Sequence, residues 1–334
     1  MRPGLLLLAL FVLACGGPSG AGPAPSSAPP APPAWPLRGT NASDADAPHR
    51  RPIVVKVAND PAARPQSGLA DADLVLEIPV EGGLTRYALV FHSKEPSRVG
   101  PVRSARQSDL NYLSALKAIL AHVGASESVA KLVRDAAKAG SFVDVDEFEH
   151  PTAFGRISTR PAPYNAYTDG KTIRDAGGER GRERVDVPAL QFDASTGKAA
   201  GNAATSLTIP YRGAEQVKYA YDAATGAYHR TQGGGTIDNE GKREVLPENV
   251  VVIKTEVKEI PGTADVTGAP SVDFRGTGTG AVVVLRDGKR FDGKWSRAGA
   301  NDMYRFTDAA GAAIPLKPGL TWIHIVPEDF DLSG

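Results

Sequence analysis

One cysteine, Cys15, is all the chain has in 334 residues. A single thiol closes no intrachain disulfide and rules out Cys-rich metal sites. Bulk charge is missing too. Lys+Arg and Asp+Glu stand at 38 each, so no net field draws nucleic acid to the surface. Aromatic residues make up 7%, which leaves little area for stacking bases. No nucleic-acid partner is expected. After Cys15, no apolar run approaches the ~20 residues that a membrane-spanning helix needs. There is no nucleophile elbow, P-loop or dinucleotide fingerprint, and no EF-hand or His-Glu-x-x-His spacing. Gly276, Gly278 and Gly280 alternate before a β-prone run, but no helix follows to bind phosphate, so they read as a turn or bulge. Asp144, Asp146, Glu147, Glu149 and His150 are metal-capable but lack ligand spacing, and they read as a solvated acidic loop. No metal or cofactor is expected.

What the N-terminus does have is the pattern of an export signal. Arg2 supplies the positive end, and Leu5 to Leu13 supply a short apolar core. The core ends in Val12-Leu13-Ala14-Cys15, which looks like a lipobox with Cys15 as the acylation site. Residues 1–15 are therefore expected to be a lipoprotein signal ending in an acylated Cys. Several acyl chains, at roughly 0.8 kcal/mol per buried methylene, hold a protein on a membrane. Residues 16–50 are mostly Pro, Ala, Gly and Ser and are expected to form a disordered tether. Such a coil reaches on the order of 30–35 Å. Trp35 within it is either a docking residue or incidental. The expected location is the extracytoplasmic face of the cell membrane.

The folded part reads as α+β. An N-terminal mixed α/β sheet domain is expected over residues 51–170. A basic connecting segment over 171–204 and a β-rich C-terminal domain over 205–330 follow. In the first, Ile53 to Val57, Leu74 to Val80 and Tyr87 to Phe91 are strand-like, the latter two joined through Gly82-Gly83 as a hairpin. Ser104 to Ala118 and Ser126 to Ala139 have helical apolar spacing. Ile119 to Val123 and Phe142 to Val145 are further strands. From Leu207 onward, short strands recur between turn signals such as Asp287-Gly288, a pattern of sandwiches, barrels or large curved sheets.

The densest run of unusual residues lies between Arg64 and Arg106. Glu77 and Glu81 interrupt an apolar segment, Arg86 precedes a strand, and Arg103 and Arg106 end a Gly-Pro-bounded loop. Charges in an apolar strand cost free energy to bury unless paired. Two arrangements are open: an Arg/Glu-lined groove for an anionic or sugar-like ligand, or a buried ion-pair network. Alternation puts Glu77 and Glu81 on one face of an extended strand, roughly 13 Å apart at about 3.3 Å per residue. That is wide for an acid/base pair on one glycosidic bond, which needs under about 10 Å. Asn59, Arg64 and Gln66 follow the first strand, where α/β sheets place ligands, or they serve turn chemistry. Arg160, Tyr164 and Asn165 sit in a Pro-fixed loop that lines the groove or links domains. His122, near a strand end, is a general base or a hydrogen-bonded core histidine. With Glu81 it is the catalytic candidate, if there is one.

These residues carry a resemblance. Ala63-Arg-Pro-Gln-Ser-Gly-Leu69, Glu81-Gly-Gly-Leu-Thr-Arg86, Val99-Gly-Pro-Val-Arg-Ser-Ala-Arg106 and the Arg160 to Tyr167 segment resemble the YerB-like lipoproteins. Gly293-Lys-Trp295 and Pro318-Gly-Leu-Thr-Trp-Ile323 match that family's C-terminal part. The resemblance spans roughly Pro52 to Pro327. It implies an exported bacterial protein in two parts, with no established biochemical function. One departure is Pro163-Tyr164-Asn165, where the family commonly has Pro-His-Asn.

The leading expectation is a membrane-anchored lipoprotein of the cell envelope, binding an anionic envelope component or an envelope protein through the groove. The alternatives are a metal-independent enzyme acting on a cell-wall glycan, and a scaffold docking a partner through its β-rich half.

Overall fold

Ile53–Ala58 (β1), Leu74–Pro79 (β2) and Thr85–Phe91 (β3) are apolar at nearly every position rather than at every second one. Such runs belong to a sheet covered on both faces. The computed structural model, which describes Met1 and residues 32–211, 216–261, 263 and 268–332, shows that cover. The export signal, Cys15 and the first half of the tether lie outside the described residues.

The sheet continues through Ile119–His122 (β4) and Val143–Asp146 (β5). The C-terminal half adds two groups of strands. Ser206–Ile209 (β6), Val217–Asp222 (β7) and Ala227–Thr231 (β8) form a separate three-stranded antiparallel sheet. Asn249–Thr255 (β9), Gly278–Arg286 (β10), Lys289–Arg297 (β11), Arg305–Asp308 (β12) and Thr321–Pro327 (β13) join the main one. The order across it is β12-β11-β10-β9-β13-β2-β3-β1-β4-β5, and Asn202–Ala203 pairs with β11 to make eleven strands. The join is β13. It pairs in parallel with β9 on one side and with β2 on the other, in the register Leu74↔Thr321 to Glu77↔His324. Both halves of the chain thus share one sheet, and the architecture is α+β.

Alternation along the strands sorts side chains to two cores. Val54, Leu76, Ala88, Val90 and Ile323 face the layer of helices Leu110–Leu116 (α1) and Glu127–Lys138 (α2), which contribute Leu113, Leu116, Val129 and Val133. Val55, Tyr87, Leu89 and Trp322 face the other way, toward β6, β7 and β8 and toward Ile173 of helix Gly170–Ala176 (α3).

The tether is shorter than composition suggests. Within the described residues 32–50, Leu37 is fully buried in the first core and Trp35 is 8% exposed. Trp35 stands edge-on to His92 at 5.1 Å, with the Arg50 guanidinium 5.4 Å from its ring. Two large side chains are enough to fix a Pro-rich segment that has a core beside it, because burying each is worth about 1.5–3 kcal/mol. The basic connecting segment takes in nearly all of α3, which buries Ile173 and ends at Ala176. The strand β8 had no place in the sequence reading.

Glycine at 280 answers a packing need. A Cβ there would stand 2.5 Å from Trp295 Nε1 and 2.7 Å from the Lys254 carbonyl, which the indole donates to at 2.8 Å. Gly280→Ala is expected to cost about 1–3 kcal/mol by displacing the buried indole. Urea denaturation measures it, and an unchanged midpoint would refute the packing argument.

Candidate functional site

The singled-out residues separate into two places at the same end of the sheet. At the end of β1 and the start of β3, residues 86 and 87 point to opposite faces. Arg86 shares its face with Ala88 and Val90, whereas Tyr87 shares its face with Leu89.

On the Arg86 face lies an open cavity of about 480 Å³. Arg86, Arg103, Arg106, Glu81, Asp60 and Tyr164 line it, so three guanidinium groups meet two carboxylates. Arg106 Nε donates to the Glu81 carboxylate at 2.8 Å. Arg103 lies with its guanidinium 5.5 Å from the Tyr164 ring centre, and its Nε is buried with no partner among the described residues. Arg86 is 5% exposed, and its Nε and Nη1 also lack a partner. Burial, with Arg106 and Arg103 nearby, pushes its guanidinium down to about 9. Ser126, the N-cap of α2, opens on the same cavity, so the helix dipole adds positive potential. Burial and the neighbouring Asp60 push the Tyr164 phenol up. The arrangement suits an oxyanion.

Glu81 reaches this cavity because β2 stops at Pro79. A tight turn over Glu81–Gly83 follows, with Gly82 in the left-handed region at φ 71°. The expectation that Glu77 and Glu81 share a strand face therefore fails: the extended chain ends between them. Glu77 stays on β2 and is fully buried on the opposite face. Its Oε2 accepts from Arg230 Nη2 and Trp322 Nε1, each at 2.9 Å, and its Oε1 from Thr85 Oγ1 at 2.9 Å. His324 Nδ1 is 3.5 Å away, held by Tyr211, while Tyr219 holds its Nε2. Burial raises the Glu77 carboxyl; the Arg230 charge and these hydrogen bonds outweigh that and leave it lowered. Glu77 is a core ion pair and lines neither cavity.

Asn59, expected at a groove, is buried and donates to Glu77, Thr85 and Gln232. Arg64 and Gln66 line a second cavity, of about 460 Å³, on the Tyr87 face. Arg160 lies apart from both linings and clamps the loop between the cavities, donating to the carbonyls of Ala63 and Pro65 at 2.6 and 2.7 Å. Asn165 accepts from Arg156 at 2.9 Å and lines neither cavity.

His122 is buried with both ring nitrogens engaged, by the Gly124 carbonyl and by Asp144, each at 2.9 Å. Burial would lower it, but Asp144 and Asp146 carry it up. Both nitrogens face acceptors inside the fold, and His122 lines neither cavity. Asp146 itself accepts from the Gly124 amide, and Glu147 pairs with Arg156, so the acidic run is used in local bonds. Among the described residues no cluster has the makings of a metal site.

Sequence reasoning missed Ser126 as a lining residue, and it missed Arg230, Gln232 and His324. One signal for Arg230 existed: a glutamate inside a buried strand requires a cation. Its position 153 residues away carried no local mark.

Two family models, each described as a protein of unknown function (DUF3048), match the chain. The N-terminal domain matches residues 37–183 and the C-terminal domain residues 207–323. The chain belongs to the DUF3048 family. A DUF3048 relative from Bacillus subtilis (strain 168), "Putative lipoprotein YerB", is 31% identical over 284 residues, covering 84% of this chain and 82% of that protein. The crystal structure of YerB from Bacillus subtilis superposes with a TM-score of 0.76 at 27% identity, over 90% of this chain and 99% of the other. Both the DUF3048 assignment and the two-part α+β architecture agree with the resemblance read from the sequence.

Proposed function

We propose that the protein is a lipid-anchored lipoprotein on the extracytoplasmic face of the cell membrane, and that its Arg86 cavity binds an oxyanion of an envelope component. The anchor rests on the lipobox-like run ending at Cys15 and on the relative's name. Among the described residues no helix is long and apolar enough to cross a membrane. Loss of radiolabelled palmitate incorporation in Cys15→Ala tests the anchor; retained label in that variant would overturn it.

Binding rests on a single observation, the buried Arg86 with two nitrogens that lack a partner among the described residues, beside a cavity. A buried unpaired charge is costly, and a sequence keeps one where a counter-ion arrives from outside. The glycan-enzyme reading finds no comparable support, since Glu81 is held by Arg106 and His122 is sealed. In the full chain purified in detergent, Arg86→Met is expected to be as stable as the parent or up to about 4 kcal/mol more stable. It is also expected to lose about tenfold or more in affinity for pyrophosphate, measured by calorimetry, as one charge-assisted contact is removed. A variant that is destabilised and still binds would show Arg86 to be structural.

A further inference from the structure

The second cavity has a donor surplus of its own. It lies on the opposite sheet face from Arg86, separated by the chain at Asp60 and Pro61, which line the first and second cavities respectively. Its charged lining side chains are Arg64 and Arg230, and no carboxylate is among them. Arg230 is 1% exposed, and Nη2 and Nη1 are spent on Glu77, Gln232 Oε1 and Thr236 Oγ1, while Nε has no partner among the described residues. Gln232 is 4% exposed. Its Oε1 accepts from Asn59 and Arg230, and its Nε2 is likewise without a partner. Two neighbouring buried side chains of the same strand end thus keep unused N–H groups, in a structure whose other polar groups there are bonded. Buried donors of this kind are normally satisfied, so an acceptor is missing.

The rim is Gly233, Gly234 and Gly235, all exposed. A Cβ on Gly235 would meet only Ile237 Cδ1, at 3.9 Å, so the mouth stands open. Pro61, Pro65 and Ile237 supply apolar wall. The volume, about 460 Å³, falls in the range of small-molecule pockets and is many times that of one water.

We infer that this cavity is a second ligand site, distinct from the Arg86 cavity, for a small organic molecule bearing an oxyanion, either carboxylate or phosphate. Guanidinium and amide N–H groups donate to the oxyanion, and the apolar wall takes the carbon body. Residues 61–87 and 230–237 build the wall together, so the ligand holds the two halves of the chain to each other.

The test uses the full chain in detergent, titrated by calorimetry with citrate, glycerol 3-phosphate and inorganic phosphate, with glycerol as the neutral control. Binding of citrate, glycerol 3-phosphate or both is expected, tighter than inorganic phosphate, with glycerol inert. Gly235→Glu places a competing carboxylate at the mouth and is expected to weaken that binding about tenfold or more. Gly235→Gln, of the same shape without the charge, is expected to keep it. Arg86→Met is expected to keep it as well, which separates this site from the first cavity. Absence of binding by both organic anions, or equal binding by the Gly235→Glu and Gly235→Gln variants, overturns the proposal. Loss of all binding in Arg86→Met also overturns it, by assigning the heat to the first cavity.

Discussion

Arg230→Met is expected to cost about 3–5 kcal/mol of stability, the loss typical of removing one partner from a buried ion pair. The reason is Glu77, which is fully buried and bonds Arg230 at 2.9 Å. Without that guanidinium, the carboxylate keeps the indole of Trp322 and the hydroxyl of Thr85 but no full charge. The Arg230 guanidinium also lies 4.4 Å from the Trp322 ring centre, so its loss removes packing too. The penalty carries a pH signature. In the parent, Glu77 is lowered, so its contribution is full above the unfolded value of 4.5 and is lost as pH falls through the folded value. In the variant, burial acts without Arg230, and protonation relieves the strain. The gap between the two proteins therefore narrows on acidification, first as pH falls toward 4.5, where the variant's penalty is relieved, and then below 4.5, where the parent's gain is lost. The double change Glu77→Leu with Arg230→Met is expected to recover most of the loss, because an apolar pair of similar bulk has no charge to desolvate. Urea denaturation of the parent and the two variants decides it. A single-variant loss under about 1 kcal/mol would mean the pair contributes little.

The second large effect is acid sensitivity. Burial pushes His324 down to about 4, and burial pushes His92 down to about 4 as well. Both fall below the unfolded value of 6.5, so between pH 6.5 and 4 the unfolded chain binds more protons than the folded one. Stability is full above that window and falls as pH drops through it, by roughly 3 kcal/mol per histidine. His122 works in the opposite sense. Raised by Asp144 and Asp146, its contribution is full below 6.5 and is lost as pH rises through its folded value, so it leaves the fall between 6.5 and 4 unchanged. His324→Gln keeps a donor and an acceptor for Tyr211 and Tyr219 and cannot titrate. Its denaturation midpoint is expected to change less between pH 7 and pH 4.5 than the parent's. Equal slopes in the two proteins would remove His324 from the account.

Much of the local structure was legible. The runs from Ile53, Leu74 and Tyr87 are strands, and the spacing after Ser126 is a helix with Ser126 at its cap. Arg86, Arg103, Arg106, Glu81 and Tyr164 stand around one cavity. Each of these rests on periodicity or on turn residues within a few positions. Arg64 and Gln66 went elsewhere, in a loop that lines the cavity on the opposite sheet face, and no local periodicity marks which face a loop covers.

Composition and pattern by themselves determined the α+β class, the export-signal reading and the grouping of three arginines with Glu81. Only the folded chain decided which charge meets which. Glu77 finds Arg230 and His324, and β13 pairs with β2, through contacts that span 153 residues or more. A strand's alternation is written in its own residues, but its neighbour across the sheet is chosen by which long-range closure buries the most surface with the fewest unpaired charges.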